Sequence, residues 1–414
     1  MSHVRRLSML GVFAMLGVLG QLNAGAEDGE GIKTVFVIAM ENHNWTQPAN
    51  QFTGGIQQIF QNPAAPFINS LVNGTAVAKV NGRDVRISEH LAFAANYHNV
   101  LATPAGNNPH IHPSEPNYLW AEAGTNFGIL NDNDPFSAVN PSNQNTNQHL
   151  ATLLTQAGRS WRSYQEDTDL TTVGGQLTNV PLPRDQWTVP LKSISGVFAP
   201  GNFNQFNGSN QFNYAAKHNP QVFFTDSNGG NDATTANPLR FQYAPLQQLF
   251  TDLANNTVAD YNYITPNQFN DMHTTLTGGY KGLTGDPAKI LQGDDFLRQI
   301  IPVIMASKAY KEHGAIIIWF DESEQDAVGD NPDDFNHTIG EIVISERAHK
   351  NVHGVPYASP LNFTHSSDLR TMQEIFRTGG PFLGDAANAI DLSDLFERGV
   401  IRNREKDDDG RDRD

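Results

Sequence analysis

The chain has 414 residues, a formal net charge of -17 and no cysteine. This length allows one large α/β domain or two ordinary domains. The acidic balance argues against a nucleic-acid partner, because the phosphate backbone repels a negative surface and no basic patch interrupts the sequence. Without cysteine the chain forms no disulfide, and a bound metal would need oxygen or nitrogen ligands.

Residues 1–26 have the pattern of an export signal. Arg5 and Arg6 give a basic start, residues 9–19 are apolar, and residues 24–26 form a small-residue cleavage site. The apolar run is too short to span a bilayer, so we predict a cleaved signal peptide. The mature chain would then lack a transmembrane segment, and the protein would be secreted or periplasmic.

The remainder is predicted to form a single domain over residues 27–400, followed by a tail over residues 401–414 that is disordered because it is almost entirely charged. Apolar runs without helical spacing predict strands buried on both faces. In chain order these strands are predicted at residues 34–39, 76–80, 161–166, 221–224, 261–264, 315–320 and 341–345.

Amphipathic stretches between the strands predict helices. They lie at residues 66–72, 148–158, 245–255, 294–313 and 365–377. A further helix is predicted to begin just after Ser114. Residues 91–101 are mixed, and residues 168–213, rich in Asn, Gly, Pro and Gln, are predicted as long surface loops near the site. The alternation predicts an α/β fold, with a mostly parallel central sheet and helices on both faces.

Polar side chains follow two predicted strands where each strand ends. The first strand leads into Glu41 and Asn42, and the strand at residues 315–320 leads into Asp321 and Glu322. In open α/β sheets, ligands bind beyond the carboxyl ends of the strands, so a metal or an acid–base pair is expected there. One shared site requires these two strands to lie close together. A plain turn after the first strand and a solvated acidic loop after the second are the alternatives.

Ser114 stands before a helix-like run that carries Pro116 in its first turn, which is a common helix start. A hydroxyl in this position lies in the positive field of a helix N-terminus. Serine is a poor nucleophile unless a metal or a base activates it. Carboxylate and amide oxygens suit a divalent cation, and together with serine and histidine they suit phosphoryl or sulfuryl transfer. The alternative for Ser114 is a helix cap alone.

Five short motifs then carry a resemblance to a known family. In chain order they are the segments at residues 40–43, 112–118, 164–167, 270–273 and 320–322. The chain resembles the phosphoesterase family of secreted acid phosphatases and phospholipases C, which belongs to the alkaline-phosphatase-like superfamily. The motifs occur in the order of that family and span almost the whole predicted mature chain.

The resemblance implies a secreted, metal-dependent phosphoesterase over residues 27–400, most simply an acid phosphatase that hydrolyses phosphomonoesters through a phosphoserine intermediate. It implies one divalent metal ion of open identity and makes Ser114 the nucleophile. The implied ligands of the ion are Glu41, Asn42, Ser114, Asp321 and Glu322. The expected partner is a small-molecule phosphate ester, with a lipid headgroup as the alternative.

The resemblance also implies side chains that face the phosphate group. They are His112, Asp271, His273 and His365. For each histidine, a structural side chain is the alternative. Lys217 and His218 are interpreted as a surface helix end, with orientation of the substrate as the alternative.

Two other kinds of function stay open, one enzymatic and one non-catalytic. A phospholipase C or another phosphodiesterase could use the same core, and an extracellular binding protein could retain the fold without activity. Sulfatase is disfavoured, because relatives of that kind need a modified Cys or Ser in a different sequence context.

Overall fold

The computed structural model describes residues 31–51, 57–99, 110–136, 141–325, 334–351 and 354–401. The predicted signal peptide at residues 1–26 and the charged tail after residue 401 lie outside the described residues. Within them, no helix combines the length and the apolar character needed to cross a membrane.

A central sheet of eight strands organises the described chain. In chain order the strands are β1 Thr34–Met40, β2 Leu91–His98, β3 Trp161–Gln165, β4 Tyr243–Pro245, β5 Tyr261–Thr265, β6 Gly314–Phe320, β7 Glu341–Ser345 and β8 Tyr357–Thr364. Across the sheet the order is β4-β3-β5-β1-β6-β7-β2-β8. Among these strands only β7 runs antiparallel to its neighbours. The predicted, mostly parallel sheet is confirmed.

Seven α-helices accompany the sheet in the described residues. They are α1 Pro66–Val72, α2 Ser114–Ala123, α3 Leu150–Gln156, α4 Gln247–Asn255, α5 Asp286–Ala306, α6 Lys308–Lys311 and α7 His365–Ile375. Helix α5 begins before the predicted residue 294, and a break at Ser307 separates it from α6. Short antiparallel pairs flank the sheet. They are Asn44–Thr46 with Thr338–Ile339, Val77–Val80 with Arg83–Arg86, Leu170–Val173 with Gln176–Pro181, and Ile194–Val197 with Gln211–Tyr214.

Helices cover both faces of the sheet at its centre, where β1 and β6 are neighbours. Met40 of β1 pairs with Phe320 of β6, so their side chains point to the same face of the sheet. Trp319, the residue before Phe320, therefore points to the opposite face. Trp319 packs edge-on against Tyr118 of α2. Met40 lies under Gly293 of α5, where a Cβ atom would come within 2.8 Å of the Met40 Cε. Covered faces explain why every residue of β6 is buried and apolar or glycine.

Three parts of the prediction are wrong. Residues 221–223 lie in a 3₁₀ helix, Pro220–Phe223, and Phe224 forms only an isolated bridge with Gln144, because a short apolar run does not by itself distinguish strand from helix. Residues 168–213 contain strands rather than loops alone. Their first hairpin turns at Gly174 and Gly175, both with positive φ, and a Gly-Gly pair is a recognised hairpin signal.

The third error concerns strands that carry no continuous apolar run. Strand β2 fills most of the mixed region at residues 91–101, and β4 and β8 were not predicted. Both β4 and β8 are edge strands of the sheet. Strand β8 is mostly exposed and contains Pro360, which an edge strand tolerates because one side of its backbone needs no partner.

A buried histidine clamps the end of α2 to neighbouring segments. The His149 Nδ1 atom lies 2.9 Å from Glu122 Oε1, and its Nε2 atom lies 2.8 Å from Asp226 Oδ1. The ring stacks on Phe224. Burial opposes a charged ring, but the hydrogen bonds to Asp226 and Glu122 outweigh burial and raise the pKa of His149. Because Ser114 begins the same helix, this clamp helps to fix the helix that carries the site.

We expect His149→Gln to lower the free energy of unfolding by about 3 kcal/mol at about pH 6, because it leaves a buried carboxylate without its partner. The pKa of His149 is higher in the folded state than in the unfolded state. Its contribution to the free energy of unfolding is therefore complete below about pH 6.5 and declines as pH rises through the folded-state pKa. Urea unfolding should therefore show a larger loss at about pH 6 than at about pH 9. His349→Gln, which alters a half-buried ring outside this clamp, is the control. An equal loss at both pH values would contradict the clamp.

Candidate functional site

The site lies at the carboxyl ends of β1 and β6. Glu41 and Asn42 follow β1, and Asp321 and Glu322 follow β6. The Asn42 backbone N–H donates to Asp321 Oδ1 at 2.9 Å across 279 positions of sequence. Asn42 has a φ of 38°, in the left-handed region that asparagine tolerates better than most residues. The parallel pairing of β1 with β6 thus brings together the two exits predicted to share one site.

The hydroxyl of Ser114 is the point on which these side chains converge. Its Oγ atom lies 3.0 Å from Glu41 Oε2, 3.3 Å from Asn42 Oδ1 and 3.1 Å from Glu322 Oε1. Ser114 is the first residue of α2 and not its cap, since Pro113 holds the capping position and no side chain caps the helix. The hydroxyl therefore points into the site instead of capping the helix. We call the side-chain oxygens of Glu41, Asn42, Ser114, Asp321 and Glu322 the oxygen cluster.

Two side chains near the start of α2 contact the carboxylate of Glu322. The His112 Nδ1 atom lies 2.7 Å from Glu322 Oε2, and the Asn117 side-chain amide donates to the same oxygen at 3.4 Å. His112 is thus brought to the site as predicted, but this ring nitrogen contacts a carboxylate of the oxygen cluster.

A second group of side chains lies on the β5 side of the oxygen cluster. The His218 Nε2 atom lies 3.2 Å from Glu41 Oε1, and its Nδ1 atom lies 3.3 Å from Asp271 Oδ2. Neither nitrogen makes a hydrogen bond, although the ring is buried. Tyr118 stacks on this ring, and its hydroxyl donates to Glu41 Oε1. Glu41, His218 and Asp271 form a group that could hold a metal ion.

His273 and Lys217 complete this second group, which we call the histidine side. The His273 backbone N–H donates to Asp271 Oδ1 at 2.8 Å, and its ring centroid lies 5.9 Å from that of His218. Lys217 is 8% exposed, and its Nζ atom lies 2.8 Å from Asp132 Oδ2. Lys217 and His218 do end a short helix, the 3₁₀ helix Ala216–His218, but the prediction that this end lies on the surface is wrong. Both are buried against the site, which their local sequence did not indicate.

The site concentrates negative charge out of contact with water. Burial raises the pKa of Glu41, Asp271 and Asp321 well above the usual range, and neighbouring carboxylates raise each pKa further. Burial, with the Lys217 charge nearby, lowers the pKa of His218 well below its usual value and that of His273 to about 4. Both rings are therefore neutral at physiological pH.

The oxygen cluster fits a divalent cation. Its donors are carboxylate, amide and hydroxyl oxygens, the set that hard divalent ions prefer. Asp321 Oδ2 is buried and has no hydrogen-bond partner, as expected of an oxygen reserved for an ion. The single proton of Ser114 can serve only one of the three oxygens around it, so a cation would relieve the repulsion that remains.

His365 lies outside this arrangement. Its Nε2 atom lies 2.5 Å from the main-chain oxygen of Asp321. Its Nδ1 atom lies 2.9 Å from the Tyr97 hydroxyl and 3.1 Å from Trp319 Nε1. Both ring nitrogens are engaged beneath the oxygen cluster, so the structure does not bring His365 together with the other side chains predicted to face the phosphate. The start of α7 was predicted correctly, but sequence does not show which way the first side chain of a helix points.

Fold and site together define an α/β protein with a buried oxygen cluster that includes a serine hydroxyl at the start of a helix. Residues 27–378 match the family described as the Phosphoesterase family, and the chain belongs to it. This is the family predicted from the five motifs.

Two curated proteins and one solved structure are among the proteins similar to this chain. An acid phosphatase of Aspergillus fumigatus is 32% identical over 46% of this chain and 34% of that protein, so the chain spans about a third of its length. A phosphatidylinositol-3-phosphatase of Mycobacterium tuberculosis is 25% identical over 95% of this chain and 94% of that protein. A solved structure from Vibrio parahaemolyticus, described as a protein in the alkaline phosphatase superfamily, aligns with 90% of this chain and 72% of that one, at 12% identity and a TM-score of 0.43.

We expect a divalent cation to raise the melting temperature and a chelator to lower it, because an ion that binds only the folded state stabilises it by about 2.7 kcal/mol at a hundred times its dissociation constant. Differential scanning calorimetry with Mn²⁺, Zn²⁺ or EDTA would measure both effects. Glu322→Gln should reduce the response, whereas Glu312→Gln, which removes the same charge from an exposed helix end, should keep it. Equal responses of the two variants would exclude the oxygen cluster as the binding site.

Proposed function

We propose that this protein is a metal-dependent phosphatase that hydrolyses phosphomonoesters through a phosphoserine at Ser114. The observation that carries the proposal is the position of the Ser114 hydroxyl, within 3.0–3.3 Å of oxygens from Glu41, Asn42 and Glu322 at the start of α2. Membership of the Phosphoesterase family supports the reaction class, and the acid phosphatase among the relatives supports a monoester substrate.

We propose that the oxygen cluster holds one divalent ion. When bound, the ion would lower the pKa of the Ser114 hydroxyl and stabilise negative charge on the phosphoryl group. A second ion at Glu41, His218 and Asp271 is disfavoured, because Lys217 already supplies a buried positive charge beside them. We keep one ion on these grounds.

The residues of the chain divide the chemistry between them. The Ser114 Oγ atom attacks phosphorus and gives up its proton to water, the bond from phosphorus to the ester oxygen breaks, and the leaving alcohol takes a proton from water. Water then attacks the phosphoserine, the bond from phosphorus to Oγ breaks, Oγ takes back a proton from the attacking water, and inorganic phosphate leaves. The N-terminus of α2 and the cation of Lys217 favour the negative charge that develops on the phosphoryl oxygens.

His273 would orient the phosphoryl group. Its Nδ1 atom contacts the Thr274 hydroxyl at 3.0 Å, so its Nε2 atom can donate an N–H to a phosphoryl oxygen. His218, whose two nitrogens lie 3.2 Å and 3.3 Å from Glu41 and Asp271, would hold those two carboxylates. The position of His112 on Glu322 suits a role in holding that carboxylate, in addition to the phosphate contact predicted for it.

We also propose that the protein is exported from the cytoplasm, because residues 1–26 have the basic, apolar and small-residue pattern of a signal peptide.

We expect Ser114→Ala to lower kcat for a chromogenic phosphomonoester by at least about a thousandfold, because removal of a nucleophile leaves only binding and electrostatic stabilisation. Ser70→Ala, on α1 outside the site, is the matched control. Intact protein mass spectrometry after an acid quench should detect a phosphoryl adduct in the wild type and none in Ser114→Ala. Full turnover by Ser114→Ala would disprove the mechanism.

The substrate class needs its own experiment, because the relative from Mycobacterium tuberculosis is named for a lipid phosphomonoester and matches nearly the whole chain. We expect phosphate release from p-nitrophenyl phosphate and from phosphatidylinositol 3-phosphate, with much slower turnover of bis-p-nitrophenyl phosphate and phosphatidylcholine.

Preference for either diester would favour the phospholipase C or phosphodiesterase alternative. Absence of turnover on every substrate, with divalent metal supplied, would favour the non-catalytic binding protein.

A further inference from the structure

A buried chain of polar side chains lies beneath the oxygen cluster. It runs from the main-chain oxygen of Asp321 through His365 and Tyr97 to Asp368, and every member is less than a tenth exposed. The contacts are His365 Nε2 to Asp321 O at 2.5 Å, His365 Nδ1 to the Tyr97 hydroxyl at 2.9 Å, and the Tyr97 hydroxyl to Asp368 Oδ2 at 2.5 Å. Buried polar groups in such a network hold one another in a single geometry.

The hydrogen-bond partners determine the tautomer of His365. The main-chain oxygen of Asp321 can only accept, so Nε2 carries the proton. Trp319 Nε1 can only donate, and it lies 3.1 Å from Nδ1, so Nδ1 accepts. The single proton of the Tyr97 hydroxyl has two acceptors within reach, His365 Nδ1 and Asp368 Oδ2. The hydroxyl, which belongs to β2, therefore contacts two residues of helix α7 and holds them against that strand.

The carbonyl that His365 contacts belongs to Asp321, the first residue after β6. Asp321 and Glu322 leave the strand there, and their carboxylates enter the oxygen cluster. The other exit has a similar support, because His43 Nδ1 lies 3.0 Å from the main-chain oxygen of Glu41. The Nε2 atom of His43 lies 3.2 Å from Asp286 Oδ1, and the Asp286 side chain is 40% exposed. His365 is supported by buried groups, so it is the more rigid of the two supports.

We infer that His365 is a positioning residue that orients Asp321 and Glu322 toward the metal ion, and that Tyr97 acts through His365. This inference rests on the proposed function. Groups that orient metal ligands typically change metal affinity by about 10- to 100-fold when they are removed. The expected effect is therefore on metal binding itself, which can be measured without turnover.

The test is isothermal titration calorimetry of the full chain with Mn²⁺. We expect His365→Leu to weaken Mn²⁺ binding by about 10- to 100-fold. We expect His365→Gln to weaken it less, because the glutamine amide can place an N–H near the position of Nε2. His349→Gln is the matched control, since His349 also contacts a main-chain oxygen, that of Asp394 at 2.8 Å, and stacks on a tyrosine away from the site.

The role of Tyr97 is tested with a double-mutant cycle. Tyr97→Phe alone should weaken Mn²⁺ binding, and it should cause no further loss in the His365→Leu background, because its effect passes through the missing ring. Multiplicative losses would show that Tyr97 acts independently and would overturn that part of the inference. If His365→Leu does not fold by circular dichroism, the cycle is run with His365→Gln.

The remaining outcomes separate this inference from the proposed function. Wild-type affinity in folded His365→Leu, or an equal loss in His349→Gln, would overturn the positioning role and leave the phosphatase mechanism intact. A wild-type protein that binds no divalent metal but releases phosphate through Ser114 would overturn the metal site, and the positioning role with it.

Discussion

Burial of several carboxylates side by side is the constraint on which the rest of this structure depends. Glu41, Asp321 and Glu322 meet at the ends of two parallel strands, and Asp271 joins them from the next strand, each at most 3% exposed. Isolated buried charges are costly, and like charges in contact are costlier still. The surrounding residues supply donors and one buried cation, and the proposed metal ion would supply the remaining positive charge.

The scaffold places these groups with main-chain as well as side-chain contacts. The Glu41 N–H donates to the Asp271 carbonyl at 2.8 Å, and the Asp321 N–H donates to the Met40 carbonyl at 3.2 Å. These bonds continue the sheet beyond its last paired residues and join three strand exits into one unit. Helix α2 delivers Ser114 to that unit, while His149 holds the far end of the same helix through Glu122. Rigid support at both ends suits a reaction whose groups must be in place before the substrate arrives.

Sequence reasoning was accurate for residues whose position is indicated by the residues next to them in the chain. Glu41 and Asn42 directly follow an apolar run, and so do Asp321 and Glu322, so both strand exits could be identified. It failed to predict the burial of Lys217 and His218, which lie in a short 3₁₀ helix, Ala216–His218, where no periodic pattern indicates burial. It also did not determine the direction of His365, because the first side chain of a helix can face either the site or the core beneath it.

By itself, the sequence determined the positions of the buried strands β1, β3, β5, β6 and β7, the acids that follow β1 and β6, the serine at a helix start and the family to which the chain belongs. These features are local, because hydrophobic period and strand ends are set by residues a few positions apart. Only the tertiary structure decided that β1 lies beside β6, that β7 runs antiparallel and that Lys217 faces the carboxylates. Strand order and orientation depend on contacts between residues hundreds of positions apart, and no local pattern records them.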